Sequence, residues 1–98
     1  MNRDIIPEPI KFEWNKGNVD KNLKKHGIKN EEAEDIFLDE LSKILYDERH
    51  SIKEKRYLIL GKTINSEFLS VIFTVRKDKI RIISARMMNR KEKKLYEE

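Results

Sequence analysis

Nineteen residues, Phe68 to Arg86, constrain the fold of this chain more than any other stretch. Phe68 to Arg76 and Lys79 to Arg86 each read as a β-strand, and Lys77-Asp78 is the one polar pair between them. A two-residue turn there sets Val75 opposite Ile80, Phe73 opposite Ile82 and Val71 opposite Ser84, which makes a core face. On the other face Arg76 meets Lys79, Thr74 meets Arg81 and Ile72 meets Ile83. A four-residue loop would keep these pairs, whereas a three-residue loop would turn one strand inside out. The second face is half apolar and half cationic. Arginines carried on rigid sheet suit bidentate recognition of phosphate, and so they point towards nucleic acid.

The rest of the composition narrows what such a sheet can serve. At 98 residues the chain is one domain with a modest core. With no cysteine, it has no disulfide framework, zinc ribbon or thiol nucleophile. Apolar runs stop at four or five residues, too short for a signal peptide or membrane span, and the expectation is a soluble cytoplasmic protein. Charge is segregated along the chain. Residues 1–30 carry seven basic and four acidic side chains, residues 31–56 five and nine, and residues 57–98 ten and five. That pattern favours a polyanion on one side and a different partner on another, although a merely solvated lysine-rich surface would show it too.

The order of elements follows from local signals. Residues 1–9 hold both prolines and read as a loose N-terminal arm, followed by a single domain over 10–98. Ile10 to Trp14 alternates as a short strand. Asn18 is placed to cap a helix whose inward face is Val19, Asn22, Leu23 and His26, with Gly27 ending it. Asn30 is placed to cap a second helix that buries Ala33, Ile36 and Phe37. Strands are expected at Lys43–Tyr46 and Tyr57–Ile64, the latter broken by Gly61, with a turn at Asn65-Ser66. A last helix starts at Asn89, with Glu92 completing a capping box, and docks through Leu95 and Tyr96. The expected class is α+β, an antiparallel sheet of about four strands plus a short N-terminal one, with two N-terminal helices and one C-terminal helix packed on one side.

Few side chains offer chemistry. His26 closes a helix, where the C-terminal dipole favours an imidazolium suited to general-acid work; the plainer alternative is a C-capping histidine. His50 lies in the charged loop 47–55, where the alternative is a solvated residue. The two share no metal-ligand spacing, no carboxylate cluster resembles a two-metal nuclease, and neither metal nor cofactor is called for. Ser51, His50 and Asp47 lack the nucleophile elbow of a hydrolase. Phe12 and Trp14 read as core anchors, while Arg90, Lys91, Lys93 and Lys94 could grip a phosphate backbone or simply solubilise a helix.

Read in order, these pieces form a pattern. Phe12-Glu13-Trp14, Asn22-Leu23-Lys24-Lys25-His26-Gly27-Ile28 and Glu32-Ala33 are followed by His50-Ser51, Glu54, Arg56-Tyr57 and Gly61. Thr74-Val75-Arg76, Ile80-Arg81-Ile82-Ile83-Ser84-Ala85-Arg86, Glu92 and Tyr96 complete it. The pattern resembles the BrnT toxin family over residues 10–98, with Asn15 standing where aspartate is usual. The resemblance implies a RelE-like fold and the toxin of a type II toxin–antitoxin module. It also implies metal-independent RNA cleavage that inhibits translation, and neutralisation by a cognate antitoxin with a DNA-binding domain. The antitoxin would form a hetero-oligomer with the toxin and contact operator DNA on its behalf.

Metal-free cleavage needs a base, an acid and cations around the phosphorane-like transition state. On that basis His26, His50, Arg76, Arg81 and Arg86 are the expected catalytic residues. Lys25, Arg56, Thr74, Lys79 and Arg90 are the expected RNA contacts, on an open basic face that the antitoxin covers. Strict alternation aims Arg86 at the core, so it would reach the site only from the strand end. Two rival readings stand beside this one: a non-catalytic nucleic-acid-binding regulator using the same basic face, and a gyrase-directed toxin on the same fold.

Overall fold

The computed structural model describes residues 3–98, apart from the side chain of His50. A four-stranded antiparallel meander, β1 (Lys43–Tyr46), β2 (Tyr57–Lys62), β3 (Phe68–Arg76) and β4 (Lys79–Met87), lies in sequence order across the sheet. It forms because two short connections and the longer loop 47–56 join strands rich in β-branched and aromatic residues. Lys77 and Asp78 both take positive φ, 49° and 63°, which makes the two-residue turn whose twist matches a hairpin. One row, Ile44, Ile59, Val71 and Ala85, crosses all four strands and is buried throughout. Against this face pack α2 (Asn30–Asp35) and the 3-10 turn Ile36–Leu38, which carries Phe37 edge-on to both Phe12 and Phe73.

The hairpin register is as expected from Arg76–Lys79 to Phe73–Ile82, then slips. Ile72 faces Ser84 and Val71 faces Ala85, so Ile83 is an extra, bulged residue in β4. A one-residue slip inverts every later side chain. Arg86 therefore stands opposite Ser70 on the face of Thr74 and Arg81, not towards the core as alternation implied.

The helices depart from expectation in a consistent way. In α1 (Lys21–His26) and the turn before it, Leu23 and Val19 of the expected inward face are 45% and 38% exposed, while Asn22 and Asn18 are buried. The reason is the free edge of β4. The Ala85 amide donates to Asn22 Oδ1 at 2.9 Å, and Asn18 Nδ2 donates to the carbonyls of Ile82 at 3.1 Å and Glu13 at 2.9 Å. Edge groups out of water need partners more than the helix needs an apolar stripe. Upstream, Ile10 to Trp14 forms one parallel bridge, Phe12 with Ile80, rather than a strand. Asp20, not Asn18, precedes α1, and Lys29, not Asn30, precedes α2; Asn30 Nδ2 instead donates to Asp20 Oδ1 at 3.0 Å.

Three further features differ from the sequence reading. Ile6 is buried and Arg3 donates to Ser42 Oγ and the Phe37 carbonyl, so the expected loose arm is seated on the core from residue 3. Gly61 does not break β2. A Cβ there would lie 2.7 Å from Ile36 Cβ, so glycine is what lets the 3-10 turn approach the sheet. Finally α3 (Arg90–Glu97) lies on the opposite face from α2, against the row Leu60, Ser70 and Arg86. Its Tyr96 meets Phe68 at 5.8 Å between ring centroids. This leaves the hairpin end of that second face uncovered by helix.

Candidate functional site

At the hairpin end, loop 47–56 folds back over the second face, held by a clasp of hydrogen bonds. The Asp47 amide donates to the Arg56 carbonyl at 2.9 Å, and Ser51 Oγ donates to the Asp47 carbonyl at 2.5 Å while accepting from the Arg56 amide at 2.9 Å. Thr74 Oγ1 donates to the Lys55 carbonyl at 2.7 Å, pinning the loop to β3. Ser51 and the buried Thr74 are thus both engaged in holding the loop to the sheet.

The clasp brings Arg56 beside the sheet arginines. Together with Lys21, Gly17, Asn18 and Ile83, the side chains of Arg56, Arg76 and Arg81 line a cavity of about 200 Å³. That is smaller than a drug-sized pocket, roughly 300–1,000 Å³, and its cationic lining suits a phosphate group. Two glutamates set the arginines. Arg76 donates through Nε and Nη2 to Glu54, both at 2.9 Å, and Arg56 Nη2 lies 3.8 Å from the same carboxylate. Arg81 donates to Glu13 Oε1 at 3.0 Å and Asn15 Oδ1 at 3.2 Å, and its side chain is only 12% exposed. The hydrogen bond from Arg76 holds the Glu54 carboxyl below its usual range; burial opposes this, and the charges of Arg76, Arg56 and Arg81 reinforce it. Four cations thus face two carboxylates. Among the described residues Arg56 Nε is buried without a hydrogen-bond partner, a donor that an anion would satisfy. Gly17 makes room for the cluster, since a Cβ there would lie 2.7 Å from Arg81 Nη2.

The other expected residues are elsewhere. Asn18 meets Ile82 and Asn22 meets Ala85, so α1 runs along β4 and carries Lys25 and His26 to the far end, exposed and away from the cavity. His50 ends the 3-10 turn Glu48–His50 of the clasped loop, and its side chain lies outside the described residues. Lys79 is exposed beside Arg76, and with Lys11 and Lys77 it lines a cleft at the turn. Arg90 is exposed at the start of α3. Arg86 donates to both oxygens of Glu92, at 2.7 and 2.9 Å, and serves the docking of α3. Sequence reasoning missed Glu54, Glu13, Lys21 and Gly17 as site residues. Glu54 carried a signal, being an acid set among Lys53, Lys55 and Arg56 in a loop between strands.

No residue of the acidic band lines this cavity. Glu31, Glu32, Glu34 and Asp35 are on α2, across the sheet, and Asp35 and Asp39 line an apolar cleft with Leu38 and Ile64. Glu34 is not free, because it accepts from Trp14 Nε1 at 2.6 Å. Charge reversal at Glu31, which is exposed and outside the cavity lining, should leave RNA cleavage within about threefold of wild type, because salt screens exposed charges. Glu34→Lys should instead cost about 1–2 kcal/mol by stranding the indole donor. Chemical denaturation together with a cleavage assay separates the two; a hundredfold loss in folded Glu31→Lys would place the band in the site.

The description "ribonuclease toxin, BrnT, of type II toxin–antitoxin system" matches residues 14–92, a span that contains the whole arginine cavity. The chain belongs to the BrnT toxin family. No curated protein matches it. As a BrnT toxin it is a ribonuclease with an RNA target and an antitoxin partner. The α+β fold with a four-stranded antiparallel sheet agrees with that resemblance. Among the described residues no helix is long and apolar enough to cross a membrane.

Proposed function

We propose that this BrnT toxin is a metal-independent endoribonuclease that stops translation by cutting RNA at the Arg56–Arg76–Arg81 cavity. The observation that carries this reading is that three arginines, from β3, β4 and the clasped loop, line one small cavity. Each guanidinium donates along fixed directions, and once an arriving phosphate draws Arg76 from Glu54, the three together stabilise the charge that grows on a phosphorane. The ribose 2′-oxygen attacks the adjacent phosphorus, and the 5′-oxygen leaves. Lys79, Lys77 and Lys11 continue the positive surface past the turn and would hold flanking nucleotides. The toxin acts in the cytoplasm as a single domain. Its cognate antitoxin carries a DNA-binding domain, forms a hetero-oligomer with it and contacts operator DNA for the pair.

The test is cleavage of naked RNA and of ribosome-bound messenger with excess EDTA present. Cutting should persist and leave a 2′,3′-cyclic phosphate with a 5′-hydroxyl. Strict Mg²⁺ dependence, or products with a 5′-phosphate, would overturn the mechanism.

A further inference from the structure

We propose that Glu54 is the general base of this site, held on Arg76 until RNA phosphate takes its place. The inference rests on reading the arginine cavity as the RNA-cleavage site. In that reaction the base must lie beside the phosphate cations, because the 2′-hydroxyl neighbours the phosphorus it attacks. Glu54 meets this condition. It binds Arg76 through both oxygens at 2.9 Å and lies 3.8 Å from Arg56, so it touches two of the three guanidiniums lining the cavity. Its side chain is 25% exposed, which leaves a path for substrate. Glu13, the other carboxylate, touches Arg81 alone, and its main chain is fixed by the Ile80 carbonyl and Asn18. His26 is at the far end of α1.

The loop supplies the placement. Thr74 and Ser51 anchor residues 55 and 56, and Glu54 is the next residue out from that anchor. Among the described side chains, the charged groups around Glu54 are Arg76 from β3, Arg81 from β4, and Arg49, Lys53 and Arg56 from its own loop. A carboxylate among so many cations is ionised but weakly basic. An arriving phosphodiester competes for the guanidiniums and adds negative charge nearby, which releases Glu54 and makes it more basic. The step is balanced: the 2′-hydroxyl proton goes to a Glu54 oxygen and the 2′-oxygen bonds to phosphorus. The bond from phosphorus to the 5′-oxygen breaks, and that oxygen takes a proton from water.

The experiment uses the full chain, EDTA and a short RNA spanning a cut site mapped with the wild-type protein. Rates are followed against pH, and binding is measured with the same RNA made 2′-deoxy at the cut. Wild type should show rates that rise with pH to a plateau, the midpoint lying higher in kcat than in kcat/KM. Glu54→Gln should lose about 100-fold or more in kcat and the rising limb with it, yet bind the 2′-deoxy RNA at least as tightly, having lost a competing anion. Weaker binding with the rising limb intact would make Glu54 a positioning residue for Arg76 and overturn the proposal. Should Glu54→Gln fail to fold, Glu54→Asp decides: a slower enzyme with a displaced midpoint supports the base, and an unmoved midpoint overturns it. Wild-type protein that cuts no RNA would refute the cavity reading itself, before Glu54 is reached.

Discussion

Arg76→Ala is expected to cut the rate of RNA cleavage by about 30- to 1,000-fold while the protein stays folded. The magnitude is that of removing one hydrogen-bond donor from a developing oxyanion. Arg76 gives the clean test because its side chain is 46% exposed and its protein contact is the exposed pair with Glu54. Its melting temperature should stay within about 4 °C of wild type. Arg76→Lys should recover only part of the loss, since an ammonium cannot reproduce the fork that spans two oxygens. Arg81→Ala should also be slow, but it confounds the reading. Arg81 ties Glu13 and Asn15 to β4 and is nearly buried, so the variant loses stability as well. A folded Arg76→Ala protein that cleaves at the wild-type rate would remove the residue from the site. In cells the same variant should cease to arrest growth and remain soluble.

How much of this was legible beforehand depends on how local each determinant is. The turn at Lys77-Asp78 and the pairs up to Phe73–Ile82 follow from alternation across two residues, and they stand as expected. The bulge at Ile83 has no such signal, because two adjacent isoleucines look alike whichever one is extra. Its consequence is large, since it moves Arg86 across the sheet. Hydropathy misplaced the inner face of α1 because it cannot register that an unpaired strand edge draws amides inward, as Asn18 and Asn22 show. The cavity was half visible. Arg76 and Arg81 announce themselves as charges on a strand. Arg56 and Glu54 reach them only through the Ser51 and Thr74 clasp, which depends on contacts across as many as 19 positions.

Glu92→Ala is expected to be the most destabilising of the charge deletions, about 1–3 kcal/mol, with cleavage per folded molecule unchanged. One carboxylate does three jobs. It accepts the Asn89 amide at 3.0 Å to cap α3, accepts from Ser70 Oγ at 3.2 Å, and holds Arg86 through both oxygens. Burial pushes its carboxyl up, but the hydrogen bond from Arg86 with those of Asn89 and Ser70, and the Arg86 charge, outweigh burial and hold it below 4.5. Asp39 behaves alike: burial is outweighed by bonds from Tyr96, Lys62 and Leu41, and Tyr96 is pushed up to about 12 by burial and by Asp39. Because both carboxyls are lowered in the folded state, their stabilisation is complete above their ordinary values. It drains away as pH falls through the lower folded ones. The urea midpoint of wild type should therefore hold steady from neutrality to about pH 5 and drop below about pH 4. In Glu92→Ala the midpoint should start lower at neutrality and fall less steeply in acid, because one proton-linked group is gone. Arg86→Ala should share part of the stability loss and keep its cleavage rate. If Arg86→Ala instead stays as stable as wild type and loses cleavage, then Arg86 belongs to the chemistry and its bond to Glu92 is incidental.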